Sequence, residues 1–527
     1  MADKVGKFNG IAVYHNGMMV SDYVNMIPRG ETCTDRQGET VVNATMWTQK
    51  YDVRGHFMDS NGNVYLVIRN YVHRFTYNAQ TGEVTYAGVM SGFIGENYAQ
   101  SFELVMMDAP VSFCESSTKP SQVYLCDGRY VYWWGVDSDP NYPLKRQAFQ
   151  IGMLWSPNVL ATGVDSEVQP DQYDVILNPS DNKLNLSDIV FIDQIDWYDN
   201  RLVGVQKSKN TVWLTCTDPG QFFRNTVKNP FDEDDGTDLW HNWYASTSSA
   251  DKLVGAVSFG GQLYFLNNRS IEIWGRTGNE DAPIQSNTTQ VIHHGARNPV
   301  IIADILYVIA NDQIGGEYIA AISNGQFARV SNPEIDRHLE APADLQIISQ
   351  REETYLMVRL NTSTGESFVF SEGRWWHWVD DVNATHHIRA SIVKDLAITT
   401  RGLFVRFTDD RKKDADGRRI TRYVRDSFAN FDIRRIIRRV ALVMDSGVRQ
   451  DPNLITDDDS GRDIYLKVSL NRGLSFSQPH YRKLGLSGQN NKVVEWRNLG
   501  SSNSVLIEFG TSSEYILQIY DVKLELQ

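Results

Sequence analysis

Residues 258–279, SFGGQLYFLNNRSIEIWGRTGN, do most to narrow what this chain can become. Residues 262–266 alternate, with Leu263 and Phe265 on one face. Residues 270–274 return, with Ile271 and Ile273 on one face. Between them Asn267-Asn268 tolerates positive φ, which a tight turn needs. Two short alternating runs about an Asn-rich turn predict a β-hairpin.

The same pattern recurs loosely along the chain. Residues 63–68 and 71–75 flank Arg69-Asn70, and residues 122–126 and 130–134 flank Asp127-Gly128-Arg129. Residues 202–206 and 211–215 flank a Lys-Ser-Lys-Asn turn. Further pairs are 305–310 with 318–322 across Gly315-Gly316, 355–360 with 367–371, and 396–400 with 403–407 across Arg401-Gly402. Successive turns fall roughly 40 to 80 residues apart, against about 40 to 50 for regular propeller blades. Each hairpin is read as apolar on one face, which it cannot bury alone. Stacking hairpins radially buries a shared core and leaves only short edges. The expected fold is therefore all-β: a β-propeller of about six or seven blades, with a pair of β-sandwiches as the alternative. No stretch shows a long helical period.

At 527 residues the chain exceeds one compact core, and 41% apolar content with 13 Trp, 24 Tyr and 22 Phe can fill several. The expected organisation is an irregular N-terminal arm over residues 1–50, with a strand near 11–14, then the propeller over 51–410. An insertion near 135–188 carries Pro140, Pro143, Pro157, Pro170 and Pro179. A basic connector covers 411–439. Strand-like runs over 440–527 predict a C-terminal antiparallel β-sandwich.

The connector is set apart by charge. Eleven cations stand against four acids in 411–439, a net of +7, which leaves −21 on the remainder of a chain whose formal charge is −14. Such a run can contact phosphates or pair with an acidic neighbour, and the acidity elsewhere favours an intersubunit or interdomain contact. Arg434, Arg435, Arg438 and Arg439 are the interface candidates. In a helix, Arg434 would share a face with Arg438, and Arg435 with Arg439. The acidic chain as a whole is unlike a dedicated nucleic-acid binder and suits a surface past which DNA moves without sticking.

Little in the sequence points to catalysis. Cys33, Cys114, Cys126 and Cys216 lack metal-ligand spacing and read as buried thiols in a reducing compartment. The start has no signal-peptide run, and the most apolar window, 299–310, is short and broken by Asp304, so no membrane insertion is expected. His293-His294 and His386-His387 lack zinc spacing. No phosphate loop or nucleophile elbow is present. Asp59-Ser60-Asn61-Gly62-Asn63 opens like a calcium loop, but Asn70 stands where the bidentate Glu belongs, so a turn is expected. The acidic stretches 231–236 and 457–461 read as solvated loops that could hold a cation. Trp375, Trp376 and Trp378 could stack a sugar or a base, although a packed blade edge is the plainer reading. In Ser469–Ser477, SLNRGLSFS, the residues Ser469, Asn471 and Gly473 match an Asp-box turn with Asn for Asp, a turn device and not a catalytic one. No catalytic residue, metal or cofactor is expected.

Two stretches carry a family resemblance. Ser270, Ile271, Glu272, Thr277, Gly278, Asn279 and Pro283 fall on a segment of the packaged-DNA stabilisation proteins of short-tailed bacteriophages. Ser469 to Phe476, then Glu495-Trp496-Arg497-Asn498-Leu499-Gly500-Ser501-Ser502 and an alternating run to the chain end, resemble the closing domain of those proteins. The resemblance implies a non-enzymatic tail hub or nozzle, propeller-based and homo-hexameric, assembled in the host cytoplasm and carried in the virion. It implies contacts with the adaptor of the head-to-tail connector, with tail fibres or spikes, and with a tail needle or plug. Double-stranded DNA would pass through it non-specifically. A propeller glycosidase of sialidase type, or a carbohydrate-binding adhesin, is the alternative.

Overall fold

The structure is a computed structural model that describes residues 4–5, 8, 10–13, 20–29, 31–42, 51–90, 92–94, 97–99, 104, 106–117, 121–129, 131–135, 149–150, 192–215, 240–245, 251–279, 282–286, 291–312, 314–339, 343–360, 366–379, 387–409, 412–415, 417–446, 463–484, 489–513 and 516–527. The fold is all-β, a propeller. Among the described residues, six separate sheets have blade size, four to six strands each, beside one fifteen-stranded sheet. The predicted insertion near 135–188 lies almost wholly outside the described residues. The chain divides into two compact units. A blade unit comprises Gln49–Gly316 with Ala320–Ala328. A terminal unit comprises Met1–Thr48, Glu317–Ile319 and Arg329–Gln527.

In the blade unit successive antiparallel sheets follow one another along the chain. The first pairs Val53–Met58, Asn63–Ile68, Tyr71–Tyr77 and Val84–Val89 in sequence order. The second is built on Ser112–Glu115, Gln122–Cys126 and Val131–Gly135. The third begins with Gln194–Tyr198, Arg201–Gln206 and Thr211–Thr215, and the fourth with Leu253–Phe259, Gln262–Asn267 and Ile271–Arg276. Neighbouring blades pack face to face through apolar side chains. Tyr65, Val67 and Val72 of the first meet Val123, Leu125, Tyr132 and Trp134 of the second. Val203, Val205, Val212 and Leu214 of the third meet Leu263, Phe265 and Trp274 of the fourth. This radial stacking is what makes a blade stable, because a lone hairpin buries too little to hold its shape.

The hairpin at 262–276 forms as expected, with Leu263 opposite Trp274 and Leu266 opposite Ile271. Two details differ from the sequence reading. First, both faces are buried: Leu263 and Phe265 on one side, Tyr264 and Leu266 on the other, are all at 2% exposure or less. A blade sits between two neighbours, so its inner strands have no wet face. Second, the turn does not use positive φ at Asn267 or Asn268. The Asp251 carboxylate closes it from outside, accepting from the Arg269 N–H at 3.1 Å and the Ser270 hydroxyl at 2.9 Å. Gly295 is fixed by close approach: a Cβ there would stand 1.9 Å from the Asn268 carbonyl oxygen.

The terminal unit departs further from expectation. The N-terminal residues, expected as an irregular arm, carry strands Val20–Val24, Met26–Arg29, Thr32–Asp35 and Gly38–Val41. Tyr23, Met26, Ile27 and Cys33 among them are core residues. Gly38–Val41 is the fourth strand of the blade formed by Ile388–Val393, Leu396–Thr399 and Phe404–Thr408, so one sheet joins early and late chain. A further four-strand meander, Ala343–Gln350 to Arg374–Val379, continues through Val20–Val24 into the large sheet.

The strand expected at 440–444 is the end of a 25-residue strand, Arg422–Ser446, that begins inside the predicted connector. Its first half pairs with Val20–Val24 on one side and Ser501–Thr511 on the other. Its second half pairs with Gln489–Arg497 and Leu517–Leu526. One strand thus serves two sheet layers, and between them Leu442, Val494, Trp496, Ile507 and Val522 share a buried core.

Candidate interaction surface

The basic segment is first anchored from within. Asp35 and Arg36 are fully buried at the end of strand Thr32–Asp35. The Asp35 carboxylate pairs with Arg422, with Lys412 at 3.2 Å and with Arg351 at 3.3 Å, and accepts the Leu517 N–H at 2.9 Å. The Arg36 guanidinium donates to Glu39 at 2.8 Å and Asp414 at 2.6 Å and lies 4.4 Å over the Trp378 ring. Lys412 and Arg351 meet again on Asp409. Four cations therefore stand among four carboxylates. Burial alone would raise the Asp35 carboxyl, but the Lys412, Arg422 and Arg351 charges outweigh it and hold it below its ordinary value. Arg351 and Lys412 hold Asp409 low in the same way, against burial. Buried pairs of this kind add little net stability over an apolar replacement but punish any misalignment. They set the register between the N-terminal turn, the 409–414 segment and the root of the long strand.

Along the long strand the cations are then sorted by period two. Arg422, Val424 and Asp426 point inward, whereas Tyr423 and Arg425 are half-exposed. Arg425 donates to Glu508 at 2.9 Å, and Lys467 reaches the same carboxylate at 2.7 Å. These two cations hold Glu508 low despite its burial. Beside them, Asp22 accepts from Tyr423 at 2.8 Å and faces His377 Nδ1 at 2.8 Å.

The four predicted interface residues lie further along the same strand. The segment is extended, not helical, so Arg434, Ile436 and Arg438 share an exposed face, while Ile437 is buried between half-exposed Arg435 and Arg439. Arg439 pairs with Glu495 at 2.7 Å, and Arg438 donates to the Gln527 side chain at 2.6 Å. Among the described residues Arg434 and Arg435 have no carboxylate partner. Ile433 and Ile436 beside them are 59% and 50% exposed.

The Ser469 turn sits at this end of the unit. Its Ser469 hydroxyl donates to Asn471 Oδ1 at 2.9 Å and accepts the Gly473 N–H at 2.9 Å. Asn471 also accepts the Ser475 N–H at 3.0 Å, and Gly473 has φ 90°. The polar atoms of Ser469 and Asn471 thus serve the turn itself. Asp59 behaves likewise: its two oxygens accept from the Asn61 and Asn63 N–H groups, the Asn63 amide and the Tyr65 hydroxyl.

Trp375, Trp376 and Trp378 are at most 3% exposed and belong to the interior, so they offer no stacking face. Cys33, Cys114 and Cys126 are buried free thiols, raised by burial. Cys216, His386 and the acidic stretches 231–236 and 457–461 lie outside the described residues. Among the described residues no cluster of His, Cys, Asp and Glu is arranged to hold a metal, and no helix is long and apolar enough to cross a membrane. The Asp35–Arg36 cluster escaped sequence reading because all its charged partners but Glu39 lie more than 300 residues away and no spacing rule links them.

Residues 217–374 match the family described as bacteriophage P22 Gp10, beta-propeller. Among solved structures, the chain is similar to YCF48 bound to D1 peptide, at 10% identity and a TM-score of 0.36, over 71% of this chain and 97% of that one. It is also similar to the Myceliophteria thermophila Cps50 (Swd1) β-propeller domain, at 9% identity and a TM-score of 0.39, over 70% of this chain and 100% of that one. A search of curated proteins finds no match.

Proposed function

From the match of residues 217–374 to the bacteriophage P22 Gp10 beta-propeller family, we propose that this chain is a virion structural protein that forms the hub or nozzle ring of a short tail. The single observation that carries this reading is the family match over residues 217–374. In this proposal six copies close a ring below portal and adaptor, and double-stranded DNA passes through its centre without sequence-specific contact. An acidic chain of net charge −14 supports that part, because a polyanion stalls on a basic wall and slides past an acidic one. Loops on the blades supply separate surfaces for the adaptor, for fibres or spikes and for a needle or plug. The role is mechanical: retention and release of packaged DNA, with no bond made or broken and no cofactor needed. Assembly takes place in the host cytoplasm, and the chain does not itself insert in a membrane.

Negative-stain imaging of the purified protein tests the reading. Rings with a central channel wide enough for duplex DNA are the expected result. Single particles at high concentration, with the adaptor present, would overturn it.

A further inference from the structure

Within the long strand the ladder to Ser501–Thr511 shifts register twice, by one residue between Ser427 and Ala429 and by more between Asn430 and Arg435. Asn430 stands opposite Ser504, and the next pair is Arg435 opposite Ser502. A step of five residues is matched by a step of two, so the strand carries three extra residues in a bulge. Bulges of this sort re-aim side chains and end pairing. Residues 431–434 make up this one, and pairing resumes at Arg435 and Ile436, opposite Ser502 and Ser501.

Three observations set Ile433, Arg434, Arg435 and Ile436 apart. The two isoleucines are more than or about half exposed, which a β-branched side chain on a strand rarely is without a partner. The two arginines have no carboxylate among the described residues, whereas Lys412, Arg422, Arg425 and Arg439 of the same basic run each have one. Finally, Leu470 and Leu474 extend the apolar area, at 39% and 85% exposed. Leu470 is tied to the bulge, because its carbonyl accepts from the Ser502 hydroxyl and Ser502 stands opposite Arg435.

We propose that this bulge is a docking surface for the acidic surface of a second copy of the chain. The inference rests on the assembly reading above and names the surface that performs it. Charge selects the occupant. Arg434 and Arg435 stand without a carboxylate partner among the described residues while each whole copy carries −14, so a neighbouring copy offers the complementary sign. The isoleucines select protein over nucleic acid, since phosphates would satisfy the arginines and leave Ile433, Ile436 and Leu474 in water. Arginine flanked by apolar side chains is also the composition of a strongly contributing interface centre.

The test is sedimentation velocity on the full chain, comparing wild type with Ile433→Ser/Arg434→Glu/Arg435→Glu/Ile436→Ser. A double variant, Arg434→Glu/Arg435→Glu, guards against misfolding of the fourfold change. Lys207→Glu/Lys209→Glu, on an exposed turn of the blade unit, controls for net charge. The expected result is assembly of wild type and control, folded single copies of the fourfold variant, and at least tenfold weaker association of the double variant. Assembly of both bulge variants at wild-type strength would overturn this inference and leave the ring reading intact. A wild type that never assembles would overturn both. Loss of duplex DNA binding with assembly unchanged would overturn it in favour of a phosphate contact.

Discussion

The two units of this chain are held by different means. In the blade unit each strand pairs with its sequence neighbour, and apolar faces seal one blade to the next. In the terminal unit residues 20–41 meet residues 405–519, and buried ion pairs fix how they meet. The first arrangement is tolerant: hydrophobic stacking is non-directional and each blade needs only its neighbours. The second is exacting, since a buried charge without its partner is costly. The unit with the exposed basic bulge is therefore the one whose geometry is most tightly specified.

The largest expected effect breaks the exacting side. Asp35→Ala leaves Lys412, Arg422 and Arg351 facing one another in the interior. A loss of about 3–5 kcal/mol is expected from removing one member of a buried pair. Chemical denaturation followed by near-ultraviolet circular dichroism should show the terminal unit's transition move and the blade unit's stay. A change under about 1 kcal/mol would mean that the cluster is wet or dispensable.

Acid sharpens the comparison with a smaller effect. Asp22, Asp35, Asp409 and Glu508 of the terminal unit are held low by His377, arginine and lysine partners that outweigh burial. Their contribution is present above the ordinary carboxyl value near 4 and is lost as pH falls below it. Asp426, raised by burial, opposes them within the same unit. In the blade unit Asp196 is pushed up to about 6 by burial, although it accepts the Ser258 and Trp197 N–H groups. A raised carboxyl stabilises below its ordinary value and loses that contribution as pH rises through 6. His73, lowered to about 4 by burial, acts in the opposite sense between 4 and 6.5 and masks Asp196 in the wild type. Asp196→Asn separates the two. Relative to wild type, the variant should gain about 2 kcal/mol between pH 4 and 7, read by denaturant unfolding across that range. A pH-independent difference would contradict the buried carboxyl.

What the sequence disclosed follows the same division. Asn63–Ile68 with Tyr71–Tyr77, and Arg201–Gln206 with Thr211–Thr215, were legible because both halves of each hairpin lie within a few residues. The turn at Asn267-Asn268 was located but its mechanism was not, because Asp251 acts from another strand's approach. Arg422–Ser446 was hidden as a strand because its buried positions include Arg422 and Asp426, which read as solvent-facing. Strands 20–41 looked like an arm because their partners come some 400 residues later. Of the candidate surface, the arginines were visible by charge. Ile433 and Ile436 matter only once the bulge exposes them.

The most direct measurement of the account is the native mass of the purified 527-residue chain. A predominant species of six 60.0 kDa chains is the predicted result. A single chain at every concentration, with adaptor protein present, would contradict it.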